Sequence, residues 1–135
     1  MPLSMDEAQH VIASAHAHAA QIAVVVTVVV VDEGAHLLAA ARMPGAFPLS
    51  FNIAQAKAVG AALWHRDGAQ LRSIQEERPT FFAQVDRLSH VPLIPGLGSA
   101  LLVRSGVVLG AVGVSGATGD QDLECAQAGA RTLSD

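Results

Sequence analysis

Three residues of this sequence are best suited to chemistry: His36, Arg42 and Lys57, which carry an imidazole, a guanidinium and an amine. An imidazole changes its charge near neutral pH, so it can carry a proton. A guanidinium or an ammonium can hold a carboxylate through charged hydrogen bonds. Together with the glycine-bearing loop that contains Gly96 and Gly98, these side chains predict a site for a small organic acid.

Both cations also have an ordinary structural interpretation. Arg42 ends a predicted strand directly before Pro44-Gly45, where it could form a surface ion pair. Lys57 falls within the small-residue stripe of a predicted helix, and its amine could extend along apolar surface to the solvent edge. The alternative for Lys57 is an amine aimed into a pocket, where it would bind a carboxylate.

Three further histidines, His10, His16 and His18, lie on the first predicted helix. Two imidazoles share a helix face, and can share a metal, when they are three or four residues apart. His16 and His18 are two residues apart and point about 200° from one another, at about 100° per residue. We therefore expect these histidines to be solvated or to lie at an interface, with a ligand role for one of them as the alternative.

The single cysteine, Cys125, is expected to be a small core residue and not a nucleophile, because no neighbouring cation lowers its pKa. One cysteine excludes an intrachain disulfide and provides no zinc motif. This usage fits a reducing cytoplasm, which is the expected location. The sequence also lacks HExxH, CxxC and phosphate-loop patterns, and Gly110–Gly113 is not a dinucleotide fingerprint.

The composition indicates one globular domain spanning residues 1–135, with 51% hydrophobic residues and a formal net charge of −4. No basic surface is indicated, which argues against nucleic acid or an anionic membrane as a partner. The apolar run Ile22–Val31 is much shorter than the roughly 20 residues of a membrane-spanning helix. No signal peptide is expected either, because no basic segment precedes an apolar N-terminus.

Four apolar runs predict the strands Ile22–Val31, His36–Met43, Leu101–Arg104 and Val107–Val114. The turns 32–35 and Ser105-Gly106 make each pair an antiparallel hairpin. Helical spacing predicts helices at Met5–Ala20, at Phe51–His65 and after Thr118, with a short amphipathic turn or two at Thr80–Leu88. Ser4 with Glu7 and Thr118 with Gln121 match capping boxes, and Ser50 is the expected cap of the central helix.

The exit from the last predicted strand, residues 115–118, is a further candidate site. Ser115 and Thr118 lie where backbone amides at a helix start attract anions, although Asp120 and Asp122 disfavour a polyphosphate there and leave a single carboxylate as the better-suited anion. We therefore expect the anionic group of an otherwise apolar ligand to lie between Arg42 and Lys57. In this hypothesis Gly113 is kept small to give the ligand access, so that Gly113→Val blocks binding without disturbing the fold.

Three blocks carry a resemblance to a known family: Val30–Ala39, the 54–58 stretch around Lys57, and Val108–Gly116 followed by Gln121-Asp122. On these residues the chain resembles the haem-degrading, GlcG/HbpS-like family, over nearly its whole length. It departs from the usual family pattern at Ala35, where a second glycine is common, and at the loop 95–99.

The resemblance implies an α+β, profilin-like fold with a mainly antiparallel sheet of about five strands and helices on its faces. A short fifth strand would then lie in Val91–Ile94. It also implies a homo-oligomer, for which the alanine-rich helices, around Ala58 for example, are the expected contact.

For function, the resemblance implies binding of haem or another tetrapyrrole, with weak redox or haem-degrading activity. His36 is then the expected iron ligand because it adjoins the family-like turn, and Arg42 and Lys57 are cations for the propionates. Two alternatives stay open: a catabolic enzyme acting on an organic acid, with His36 as proton carrier, and an oligomeric accessory protein without catalysis.

Overall fold

A computed structural model describes residues 1–133 of the chain. The strands are β1 (Thr27–Asp32), β2 (Leu37–Arg42), β3 (Ser99–Arg104) and β4 (Val107–Ser115). The helices are α1 (Met5–Gln21), α2 (Ser50–Trp64), α3 (Gly68–Glu77), α4 (Pro79–Asp86) and α5 (Gly119–Ala130), followed by a 3₁₀ turn at Arg131–Leu133.

The four strands form one antiparallel sheet in the order β2-β1-β4-β3. The centre of the sheet is β1, whose valines alternate between two apolar cores. Val28 and Val30 pack toward α1 and α5, whereas Val29 and Val31 pack toward α2 and the helices that follow it. Burying each of these side chains stabilises the fold by about 1.5–3 kcal/mol relative to an exposed position. The sheet is thus covered by helices on both faces, as expected for an α+β fold.

Helix α2 lies very close to β4 because small residues meet at the crossing. A Cβ atom built on Gly113 would lie 2.1 Å from the carbonyl oxygen of Ala54 and 2.8 Å from the amide nitrogen of Ala58. Gly113 is therefore small to admit the helix and does not open a path for a ligand. Ala58 is fully buried in the same contact, so the small-residue face of α2 is an internal surface and the interface predicted there is wrong.

The structure differs from the sequence predictions in the number of strands and in the ends of two elements. The sheet has four strands and not five, because residues 91–94 are irregular. Strand β1 begins at Thr27 and not at Ile22, since α1 extends to Gln21 and Ala23 then turns the chain with a φ of 59°. Ser50 is the first residue of α2 and not its cap, and its hydroxyl lies 2.7 Å from that of Thr27.

The two capping boxes predicted from sequence, Ser4 with Glu7 and Thr118 with Gln121, are both present. A third box, Asp67 with Gln70, opens α3 and was not predicted. Across residues 1–133, none of the helices combines the length and apolar character needed to cross a bilayer.

Candidate functional site

Lys57 is a charged side chain that the packing of α2 against the sheet buries. It is 7% exposed, and its Nζ donates to the carbonyl oxygen of Val114 at 2.9 Å and to Oδ2 of Asp122 at 3.2 Å. The amine lies inside the protein at the end of β4, where the chain leaves the sheet. The ammonium therefore does not extend to open solvent.

Asp122 is the partner of Lys57 and belongs to the first turn of α5. It is 3% exposed, and its Oδ1 accepts a hydrogen bond from the backbone amide of Ala117 at 3.0 Å. Burial raises the pKa of the Asp122 carboxyl, and the neighbouring Lys57 ammonium partly offsets that effect. The pair thus ties α2 to the exit loop and to α5.

Two glycines of the loop before β3 leave room for two cations. A Cβ atom on Gly98 would lie 2.7 Å from Nζ of Lys57, and one on Gly96 would lie 2.8 Å from Nη2 of Arg72. Both glycines also have positive φ angles, +125° and +148°, which side-chain-bearing residues rarely adopt. The loop therefore requires glycine at both positions, and each position faces one basic side chain.

A groove of about 470 Å³ opens beside these cations, which we call the Lys57 groove. Its lining comprises Lys57, Ala69, Arg72, Ile94, Pro95, Gly96, Leu97 and Gly119. Arg72 is exposed and donates from Nη2 to the carbonyl oxygen of Pro95 at 3.3 Å. The groove thus combines an apolar wall with two basic side chains, only one of which has a carboxylate partner at this site.

The structure brings together only part of the predicted site. Lys57 and Gly96 line the groove, Gly98 contacts the Lys57 amine, and Thr118 caps the helix that begins at Gly119. Ser115 is buried opposite Thr27 in the β1–β4 pairing.

Arg42 lies elsewhere. Arg42 is the last residue of β2 and pairs with Thr27 of β1, so β1 and β4 separate it from β3. Its Nη1 donates to the carbonyl oxygen of Ala46 at 3.1 Å. Arg72, and not Arg42, is the guanidinium beside Lys57. Arg42 is not among the residues that line the Lys57 groove, so we do not place the anion between Arg42 and Lys57.

His36 lies at the opposite end of the sheet, in the turn between β1 and β2. Oδ1 of Asp32 accepts hydrogen bonds from the amides of Gly34 and His36, each at 2.9 Å, and lies 3.5 Å from Nδ1 of His36. The His36 ring is 74% exposed and stacks on His90, with ring centroids 5.6 Å apart and an interplanar angle of 20°. Nε2 of His90 in turn lies 3.1 Å from the carbonyl oxygen of Ala35, so it is the donor.

A second, more apolar groove of about 410 Å³ lies under α4, and we call it the Trp64 groove. Its lining comprises Leu63, Trp64, Phe81, Val85, Leu88, Ser89 and Leu93. Trp64 stacks on Phe82 at 5.3 Å between centroids, and the guanidinium of Arg78 lies 4.1 Å above the ring of Phe81. His90, whose ring stacks on that of His36, lies in sequence between the groove residues Ser89 and Leu93.

The histidines of α1 have separate partners. Nε2 of His16 donates to the carbonyl oxygen of Ala41 at 3.1 Å, and burial lowers the pKa of His16. Nε2 of His18 lies 3.5 Å from the carboxylate of Glu124. Within residues 1–133, no group of three or more His, Cys, Asp or Glu side chains is arranged to hold a metal ion.

Cys125 is a core residue, as predicted from its neighbours. It is fully buried, and burial, with smaller contributions from Asp122 and Glu124, raises the pKa of its thiol to about 11. A thiol with this pKa is not a nucleophile at neutral pH.

The sequence interpretation missed two site residues, Arg72 and His90. Arg72 lies on a polar helix where nothing distinguishes it from its charged neighbours, and His90 lies in an irregular segment. Asp122 was interpreted as a helix-start carboxylate and as part of a family-like block. Its position three residues after Gly119 gives no sign of an ion pair with a lysine on another helix.

Comparisons with known proteins agree over nearly the whole chain. A family model described as "Haem degrading protein HbpS-like" matches residues 3–131. Protein GlcG of Escherichia coli (strain K12) is 36% identical over 114 residues, which cover 84% of this chain and 81% of that protein.

Two solved structures share the fold. The crystal structure of a PduOC:heme complex has a TM-score of 0.88 and 25% identity, covering 99% of this chain and 96% of that one. A double mutant of Streptomyces reticuli HbpS has a TM-score of 0.89 and 27% identity, covering 100% of this chain and 89% of that one.

Proposed function

Because this chain belongs to the HbpS-like family of haem-degrading proteins, we propose that it is a haem-binding protein. The observation that carries this proposal is the match over 99% of the chain to a structure solved as a haem complex. Redox or haem-degrading activity is the further part of the proposal.

The residues present fit the requirements of haem. A haem pocket needs an imidazole for the iron, an apolar slot for the macrocycle and cations for the propionates. The Trp64 groove supplies apolar and aromatic walls, and Arg78 lies over Phe81, which lines it. His90, which stacks on His36, is flanked in sequence by the groove residues Ser89 and Leu93. We place the macrocycle in this groove.

His36 is the imidazole best prepared to ligate iron. A metal-bound histidine usually donates its second ring nitrogen to a carboxylate or carbonyl, which fixes the tautomer. Nδ1 of His36 faces Asp32 at 3.5 Å, which leaves Nε2 for the metal, and the ring is exposed enough to be reached. His90 packs on one face of His36 and restricts its rotation.

Bound haem would supply one-electron chemistry at its iron, which the side chains lack. The protein would contribute the rest: Asp32 orients His36, the Trp64 groove excludes water, and Arg78 neutralises a propionate.

Haem titration of the purified apoprotein tests this proposal. We expect a saturable Soret band at one haem per chain that is lost or strongly shifted in His36→Ala. Asp32→Asn keeps an acceptor for the turn amides but removes the charge that faces His36. It should weaken haem binding by about 10- to 100-fold. The exposed His10 provides a matched control, since His10→Ala should bind as the parent does.

Absence of a saturable Soret band contradicts haem binding altogether. If His36→Ala keeps the full band while His16→Ala or His18→Ala loses it, haem binds but the iron ligand lies on α1.

We also propose that the protein is a homo-oligomer. The small-residue face of α2 is internal, so the contact must use apolar residues that the fold leaves exposed. Phe47, Leu49 and Ile94 are 44%, 61% and 38% exposed, and the last two line one shallow groove. Light scattering should give a molecular mass that is a multiple of the 13.9 kDa chain mass, and this mass should decrease in Leu49→Glu. Val107→Glu is the control, because Val107 is exposed on the β3–β4 hairpin, and it should keep the parent mass.

A further inference from the structure

We propose that the Lys57 groove is a second binding site, distinct from the Trp64 groove, for the carboxylate of a small organic acid with an apolar body. No step of haem binding at His36 uses these residues. The proposal rests on four observations: the unused donor of Lys57, the guanidinium of Arg72, the loop glycines that hold both cations, and the apolar wall.

The first observation is a count of donors at Lys57. An ammonium has three N–H groups. Two of them are used, toward Val114 and Asp122, and Lys57 is also part of the groove lining. The third N–H has no partner within residues 1–133, and we assign it to a ligand in the groove that Lys57 lines. The amine is held in place by its two internal partners.

The second observation is the charge of Arg72. Within residues 1–133 its guanidinium makes one long hydrogen bond, 3.3 Å to the carbonyl oxygen of Pro95, and has no carboxylate partner. A guanidinium presents five N–H donors in a planar fork that matches a carboxylate. Because Asp122 already balances Lys57, the groove has about one positive charge to offer, which suits a monoanion better than a polyphosphate.

The third observation is the loop itself. Gly96 and Gly98 each adopt a positive φ and each leave space for one cation, so the segment 96–98 sets the separation of the two basic groups. Leu97, between them, packs toward Gly119 at the start of α5. Such a loop fixes the two donors before any ligand arrives, which lowers the entropic cost of binding.

The fourth observation is the apolar wall formed by Ala69, Ile94, Pro95 and Leu97. Beside two cations, this wall favours an acid with a short hydrocarbon chain over a fully polar one. We therefore use 4-methylpentanoate as the probe, with 4-methylpentanamide as its neutral counterpart of nearly the same shape.

Isothermal titration calorimetry on the full chain tests the site. We expect 4-methylpentanoate to bind and the amide to bind at least 10-fold more weakly. Arg72→Gln should weaken the acid by about 10- to 100-fold, the range for charged hydrogen bonds. Arg42→Gln is the matched control, because Arg42 lies on the far edge strand, and it should leave the affinity unchanged.

The inference is overturned if the acid does not bind, if acid and amide bind equally, or if Arg72→Gln binds the acid as the parent chain does. Gly96→Ala adds a variant that leaves both cations in the sequence but crowds Arg72, and it should also weaken the acid.

A competition experiment tests whether this site is separate from the haem site. Independent binding of haem and 4-methylpentanoate supports a second site for a free acid. If 4-methylpentanoate lowers haem affinity, the groove holds a haem propionate and the proposal of a second site is wrong. Loss of the Soret band with retained binding of the acid would instead count against the haem proposal alone.

Discussion

Nζ of Lys57 lies 3.2 Å from Oδ2 of Asp122, and both side chains are more than nine-tenths buried. The two residues are 65 positions apart in sequence and belong to helices on opposite faces of the sheet. The ion pair is formed past the end of β4, where the exit loop lets α5 reach across to α2.

Removing one partner of this pair should be costly. Lys57→Met leaves the Asp122 carboxylate buried without its cation, and we expect a loss of about 3–5 kcal/mol in the free energy of unfolding. The double variant Lys57→Met with Asp122→Leu removes both charges and should recover most of that loss. Urea unfolding of the three chains measures both effects. A Lys57→Met variant as stable as the parent would mean that the pair is not buried in solution.

Replacing Gly113 should destabilise the fold. Even the single Cβ of Gly113→Ala would lie 2.1 Å from the Ala54 carbonyl, so α2 must move away from the sheet. We expect a loss of about 3 kcal/mol or more, at the upper end of the range for overpacking. The hypothesis that Gly113→Val blocks binding without disturbing the fold is therefore wrong, because any side chain at Gly113 collides with α2.

The control for Gly113 is Gly106 in the β3–β4 turn. It has a φ of +77°, and a Cβ there would meet no atom within 4 Å. Gly106→Asn should cost less than about 1 kcal/mol, because asparagine tolerates this conformation. Thermal unfolding distinguishes the two, and equal losses would contradict the steric explanation.

His16 should make stability depend on pH on the acid side. Burial lowers its pKa below the usual 6.5 in the folded chain. As pH falls through 6.5, the unfolded chain takes up this proton first, so the free energy of unfolding decreases between that pH and the lower folded pKa. At pH 7 and above the effect is absent.

Urea unfolding from pH 7.5 to pH 5 measures this slope. His16→Gln keeps a donor for the Ala41 carbonyl and should flatten the slope, whereas His10→Gln, exposed on the same helix, should not. Equal slopes in all three chains would assign the acid sensitivity to other groups.

Cys125 should be inert in the native protein. With its pKa raised to about 11 and no exposed surface, its thiol should not react with a disulfide reagent at pH 8 within minutes. The reagent should titrate one thiol per chain once guanidinium unfolds it. Ala17→Cys in a Cys125→Ala chain places a thiol on the exposed face of α1 and should react at once, which controls for the reagent.

The elements of this fold were largely predictable because their signals are local. The continuous β-branched run of β1, the turn at Ser105-Gly106 and the two capping boxes each depend on residues within one segment. The fifth strand was wrong because Pro92 interrupts the short apolar run 91–94, which is irregular and does not join the sheet.

The site was predictable only in part, because its contacts connect distant segments. The sequence identified Lys57 as a cation within an apolar stripe, and Gly96 and Gly98 as part of an irregular loop suited to a site. Which arginine joins them depends on where α3 packs, and periodicity does not encode that position. Arg42 and Arg72 therefore could not be ranked until the strand order separated the first from the groove.

The strand order also has a consequence for how the chain folds. The hairpin of β1 and β2 is local and can form early. The other edge of β1 pairs with β4, so the pairing of Val28 with Val114 requires two segments that are distant in sequence. Until the last third of the chain arrives, the most apolar strand carries an open row of amides and carbonyls, which is a template for pairing with another molecule. Closing that long loop costs entropy before its contacts form, which slows the step. During synthesis on a ribosome, this open edge exposes the chain to aggregation until β4 has been made.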